Sequence, residues 1–274
     1  MATYSSSVSG LDAKIIGGAP SHGDIVVSAV FAVVFFGLAG LGLFRYRNPI
    51  FRCFMLILVA VAAILFGIGF SIRASAGNAI TESSLVGLQV CMILGHVLML
   101  DVIITLTRDV IVEVAPASVH IMYTFLARIA LAVAAIISCI GHSWDIDPGN
   151  ESQSNQSTKL ALWGGIIQFI AIVLSLAIFI LSIIFHRLIG VPTYLLIAMN
   201  LASLGPSLYL FTLVAVDDPS WSLSKNDKIY FIITFGVMQG IVVALASILN
   251  LNVWFAQIHR PYIALRTMPL PLPV

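Results

Sequence analysis

The chain has 274 residues, of which 60% are hydrophobic and only 9% charged, with a formal net charge of +1 and a mean hydropathy of +1.07. A water-soluble domain carries about 25% charged residues. The composition therefore excludes a soluble enzyme, and no concentration of basic residues points to nucleic acid.

Residues 1–24 form a polar tail. They carry no basic stretch followed by an apolar core, so no cleavable signal peptide is expected. Seven apolar stretches follow, Ile25–Phe44, Phe51–Ile72, Leu85–Thr107, Ile121–Ile140, Leu160–Phe185, Thr193–Val216 and Ile229–Phe255. Each supplies the roughly 20 residues that a hydrocarbon core about 30 Å thick requires at about 1.5 Å rise per residue. The expected fold is an all-α polytopic bundle of seven transmembrane helices over residues 25–256, with 1–24 as an extracellular tail and 257–274 as a cytosolic tail. Short turns such as Arg47-Asn48-Pro49, Ala76-Gly77-Asn78 and Gly190-Val191-Pro192 make consecutive spans antiparallel neighbours. The final MPLPLPV is proline-spaced and reads as extended.

Charge sets the orientation. With loops on alternating sides, one side holds Arg45, Arg47, Arg52, Arg108, Arg187, Arg260 and Arg266 against only Asp109 and Glu113. The other holds Lys14, Arg73, Lys159, Lys225 and Lys228 among nine acids, Asp24 included. Basic residues near span ends favour the cytosol, so the N-terminus is expected outside. The polar loop DIDPGNESQSNQSTK agrees, because it carries glycosylation sequons at Asn150 and Asn155 on the side expected to face out.

Small residues mark several spans: Gly37, Gly40 and Gly42 in the first, Gly67 and Gly69 in the second, and Gly236 and Gly240 in the seventh. The Gly236-x-x-x-Gly240 spacing permits close helix approach, which is expected within the bundle and leaves a homodimer as the alternative. Cys53, Cys91 and Cys139 lie in apolar runs and are expected to be buried thiols.

Polar groups inside the spans are costly and need partners or a purpose. Asp101 in span three and Arg128 in span four each lie about seven residues, or roughly 10 Å, from the inner end of antiparallel neighbours, so an ion pair is expected. It serves either to fix helix register or as a switch or ligand site. His96 lies one and a half turns from Asp101, Asn200 sits at similar depth in span six, and Gln89, Gln168 and Gln239 lie in outer halves, with Asn250 and Asn252 near the end of span seven. Together they line an internal cavity or join helices by hydrogen bonds. Pro206, flanked by Gly205 and Ser207, removes a backbone hydrogen bond in span six and offers a kink or hinge.

Several chemistries fail on residue placement. No lysine lies in a span, which excludes a retinal Schiff base. His22, His96, His120, His142, His186 and His259 form no His-x-x-x-His pair, so no metal and no cofactor is expected. Span seven lacks the proline-tyrosine motif of rhodopsin-like receptors, and Thr107-Arg108-Asp109 stands where those receptors carry Asp-Arg-Tyr.

Thr105-Leu106-Thr107-Arg108, Gly165-Ile166-Ile167-Gln168-Phe169, Phe185-His186-Arg187 and His259-Arg260-Pro261 resemble fungal seven-span membrane proteins of the lipid-translocating exporter (RTA-like) family. The resemblance implies a plasma-membrane protein linked to sphingolipid asymmetry or stress resistance. Spans two and seven contain no Asp or Glu, where the family carries acidic residues. The leading expectation is a protein that binds or translocates a lipid-like molecule at His96, Asp101, Arg128, Asn200 and Gln239, with Pro206 as hinge. Its partners would be membrane lipids or a small lipophilic ligand. A receptor-like sensor with an unidentified cytosolic partner comes second, and an intramembrane enzyme acting on a lipid or isoprenoid through Asp101 third.

Overall fold

The computed structural model describes residues 16–17, 24–48, 54–75, 82–111, 117–144, 151–186, 191–215 and 225–248. Seven helices among them are long and apolar enough to cross a membrane. They are α1 (Asp24–Arg47), α2 (Phe54–Ser75), α3 (Glu82–Ile111), α4 (Ala117–Trp144), α5 (Glu151–His186), α6 (Val191–Ala215) and α7, which runs through Lys225–Phe231, Ile232–Met238 and Gln239–Ile248 without a break. Consecutive helices pack side by side from α1 to α6, and α7 closes the bundle against α1, α2, α3 and α6. The α3 span is the most enclosed, with 72% of its residues buried against 28% for α1 and α5. It carries His96, Asp101 and Thr105, each bonded to a neighbouring helix.

The helices outrun their apolar cores. Between Glu151 and Trp163 no glycine or proline interrupts the chain, so nothing stops the helix there. α5 therefore starts at Glu151 and spans 36 residues, about 54 Å at 1.5 Å per residue. This corrects the expected loop: Asn155 lies in the first turns of a helix, while Asn150 lies outside the described residues. Likewise α2 continues three residues past Ile72 to Ser75, which puts Arg73 inside the bundle and not in a surface loop. Span seven was expected to reach Phe255; its described part ends at Ile248, and Asn250 and Asn252 lie outside the described residues.

Aromatic rings fill the space between α1, α2 and α7. Phe35 meets Phe66 at 5.1 Å and Phe70 at 5.7 Å between ring centroids, and Phe70 meets Phe231 at 5.5 Å. On α7, Gly236 makes room for this layer and Gly240 lies beside it. A Cβ on Gly236 would fall 2.8 Å from the Phe31 ring, and one on Gly240 would lie 4.0 Å from Phe35. The Gly236-x-x-x-Gly240 face is thus occupied by α1 of the same chain. Among the described residues, Gly37 and Gly40 have nothing within 4 Å of a hypothetical Cβ, so these two play no part in the close packing described.

The middle of α7, Ile232–Met238, is π-helical. Such a wider turn inserts extra backbone into the helix and is uncommon at this length. It faces the proline-bearing stretch of α6: a Cβ on Gly205 would overlap the Met238 sulfur and come within 3.7 Å of Thr234. At the opposite end of α7, Arg45 donates to the carbonyls of Ser247 (2.7 Å) and Ile248, satisfying oxygens that the helix terminus leaves without intrahelical partners. These contacts define two ends of the bundle, one carrying Asp24 and Arg73 and the other carrying Arg45.

Candidate functional site

Three groups of polar residues stand out among the described residues of the spans. The first is the expected ion pair. Arg128 Nε donates to Asp101 Oδ1 at 2.8 Å and Arg128 Nη2 to Thr105 Oγ1 at 3.0 Å. Asp101 and Thr105 are four residues apart, hence one above the other on the same face of α3, and the Thr105 hydroxyl donates back to the Asp101 carbonyl at 2.7 Å. The pair is not buried. The Arg128 side chain is 46% exposed and that of Asp101 is 20% exposed. Around Arg128, α4 presents Met122, Phe125, Leu126 and Ile129 outward. Six residues separate Arg128 from the start of its span at Met122, about 9 Å along the helix. A guanidinium is thus set among exposed apolar side chains on the outer surface of the bundle.

The second cluster is fully enclosed. His96 joins three helices: its Nε2 is 2.8 Å from Ser207 Oγ on α6, and its Nδ1 is 2.9 Å from Gln239 Nε2 on α7. Ser207 donates in turn to the carbonyl of Ser203 at 3.1 Å. All four residues have zero relative exposure. Both ring nitrogens of His96 are thus engaged, one by Ser207 and one by the Gln239 amide. Gln239 begins the α-helical turn that follows the π-helical segment, and Ser207 is next to Pro206. The bridge therefore ties α3 to the two irregular places in α6 and α7. Replacing His96 with Phe should lower the melting temperature in detergent, because the amide of Gln239 then loses its His96 partner and Ser207 keeps only the Ser203 carbonyl; a buried polar group left without a partner costs about 1–3 kcal/mol. Ser207→Ala, which loses one side of the bridge, should cost less.

The expected convergence of Asp101, Arg128, His96 and Asn200 on one cavity is corrected by these geometries. Asp101 points outward between α3 and α4, while His96 points inward to α6 and α7. Asn200 donates to the Leu196 carbonyl of its own helix at 2.8 Å. Gln168 bridges to Ser138 at 3.0 Å and joins α5 to α4. Cys91 and Cys139 are free thiols, and Cys53 lies outside the described residues. Among the described residues no group of three His, Cys, Asp or Glu side chains stands close enough to hold a metal.

The third cluster was missed from sequence. Arg73, with only 1% of its side chain exposed, donates from Nη2 to Asp24 Oδ2 at 3.2 Å and to the Gly17 carbonyl at 2.6 Å. Its guanidinium carbon lies 4.8 Å from the centroid of the Phe231 ring, an arrangement that adds a cation–π attraction. Lys228 Nζ reaches the same Asp24 oxygen at 3.5 Å. Placing Arg73 in a loop hid it, although an antiparallel α1–α2 hairpin with arms of 24 and 22 residues sets the start of one helix beside the end of the other.

No family model, no curated protein and no solved structure matches this chain.

Proposed function

We propose that this seven-helix membrane protein binds a membrane lipid by its headgroup at Arg128 and Asp101 and moves it along the outer face of α3 and α4. The observation that carries the reading is the 46% exposure of the Arg128 side chain among outward-facing apolar residues. A charge at that depth costs a few kcal/mol on insertion scales unless something polar meets it. Asp101 and Thr105 engage one edge of the guanidinium; a lipid phosphate arriving from the bilayer would find the remainder. The planar donor fork of arginine suits phosphate recognition. Resemblance to lipid-translocating exporters points the same way, as do the expected outward N-terminus and plasma-membrane location.

The test is lipid flux in vesicles reconstituted with the purified chain, followed by the loss of a fluorescent phospholipid from the leaflet exposed to a membrane-impermeant quencher. The wild type should accelerate exchange between leaflets. Arg128→Gln should reduce the rate about tenfold or more, the weight of one hydrogen bond to a charged group. No flux in the wild type, or equal flux in Arg128→Gln, rules the reading out.

A second reading, a receptor-like sensor, is favoured by the His96 bridge between the proline-bearing stretch of α6 and the π-helical stretch of α7. It requires a ligand to change how a cytosolic protein binds. Full binding of such a partner with and without candidate ligands would count against it.

A further inference from the structure

The end of the bundle that carries Asp24 holds a short piece of the chain outside the helices. Ile16 has zero relative exposure. Next to it, Gly17 is gripped by its backbone: its N–H donates to the Tyr209 hydroxyl at 2.8 Å, and its carbonyl accepts from Arg73 Nη2 at 2.6 Å. Gly17 adopts φ +80°, a left-handed conformation that costs glycine little and other residues more. There is also no room for a side chain. A Cβ would lie 2.7 Å from the Phe231 ring and 2.8 Å from Arg73 Nη1. The seat thus recognises an aliphatic residue followed by a glycine, reading the glycine by one donor, one acceptor and the lack of a side chain.

We propose that Arg73, Tyr209 and Phe231 form a peptide-binding site, occupied here by the chain's own Ile16–Gly17 and able to take a separate peptide of the same chemistry. Two features single it out from ordinary packing. Both hydrogen bonds go to backbone atoms, so the site grips any chain that presents an aliphatic–glycine step. The seat is also assembled from several helices: Arg73 from α2, Tyr209 from α6 and Phe231 from α7, with Asp24 of α1 holding Arg73 in place. An occupant therefore sets the spacing of three helices at once. Phe231 immediately precedes the π-helical segment. It stacks on Phe235 at 5.7 Å, and Phe235 lies 6.0 Å from both Tyr209 and His96, so the seat is in contact with the buried histidine bridge. The site is separate from the outer face of α3 and α4 and does not depend on lipid binding there.

The experiment uses the full chain in lipid nanodiscs. In an Ile16→Cys variant, modification of residue 16 by a water-soluble maleimide is followed by mass spectrometry of the peptide that contains it. Buried in its seat, this thiol should react slowly. Adding Gly17→Val should release it and raise the rate at least tenfold. Tyr209→Phe, which removes one hydrogen bond and no packing, should raise it about fivefold and serves where the valine variant fails to fold. A capped peptide Lys-Ile-Ile-Gly-Gly-Ala, the sequence of residues 14–19, should then bind the released variant and bind more weakly once Tyr209→Phe is added. Fast modification in the otherwise wild-type chain would show that the seat is empty in the bilayer. Release without any peptide binding would show that the contact is internal packing. Either result overturns the proposal.

Discussion

Replacing Arg73 with methionine should remove about 3–5 kcal/mol of stability, the usual cost of leaving one member of a buried ion pair without the other. The arginine side chain is 1% exposed and the Asp24 side chain 11%, so water cannot take over the missing contact. Methionine keeps much of the volume and the apolar contact with Phe231, which confines the loss to charge and hydrogen bonding. Lys228 remains within 3.5 Å of the same carboxylate oxygen, but its side chain is 25% exposed and one such contact contributes little. Lys228→Met alone should therefore cost less than about 1 kcal/mol. A double-mutant cycle with Asp24→Asn separates the terms. The double variant Asp24→Asn/Arg73→Met should recover a large part of the stability lost in Arg73→Met, since it removes the enclosed carboxylate together with the guanidinium and leaves only the more exposed Lys228 charge. Chemical denaturation in mixed micelles measures all four proteins. A drop below about 1 kcal/mol in Arg73→Met would mean that the pair is solvated in the membrane protein and is no anchor.

The contrast between the two ion pairs shows what the sequence could and could not convey. Seven helices were legible because the requirement is one of length and polarity, and both are local. The Asp101–Arg128 pair was legible from equal depth on antiparallel neighbours. Depth, however, is only one coordinate. His96 and Asp101 are five residues apart, a turn of about 140° at 3.6 residues per turn, so they had to face different neighbours although they seemed to share a layer. That much was available from the spacing. Which of the two faces looked into the bundle was not, since apolar residues surround both helices and a membrane removes the polar side by which a soluble helix shows its orientation. Arg73 was lost for a different reason. Hydropathy ended its span at Ile72, whereas Asp24, a partner 49 residues away, makes the arginine admissible inside. The π-helical stretch Ile232–Met238 has no marker in the sequence that distinguishes it from an ordinary helix. The glycines were equally ambiguous: among the described residues a Cβ on Gly37 or Gly40 meets nothing within 4 Å, while Gly141 and Gly164 stand at a close contact between α4 and α5.

That contact sets the second large effect. Gly141→Val should destabilise the protein by about 3 kcal/mol or more, at or beyond the top of the usual range for overpacking, because the obstruction is backbone. A Cβ on Gly141 would overlap the amide nitrogen of Ala161 and lie 2.7 Å from the Ser157 carbonyl oxygen and 2.8 Å from the Ala161 Cα. A side chain can rotate away; a helix backbone can yield only if α4 and α5 move apart. The contact is reciprocal. On α5, a Cβ on Gly164 would overlap the Ser138 hydroxyl and lie 2.9 Å from the Ser138 Cβ and 3.0 Å from its backbone nitrogen. Close approach of this kind is a main source of helix association in lipid, where water does not drive apolar surfaces together. Separation would also stretch the Gln168–Ser138 hydrogen bond, now 3.0 Å, so loss of packing and loss of a buried polar contact come together. Gly37→Val supplies the control. It adds the same isopropyl group to a helix face where a Cβ meets nothing within 4 Å among the described residues, and its melting temperature in detergent should stay within the range of ordinary surface substitutions, about 0.5 kcal/mol either way. Equal melting of Gly141→Val and Gly37→Val would mean that α4 and α5 do not meet at Gly141 as closely as described, and the hold of α5 on the rest of the bundle would have to come from α3 and α6.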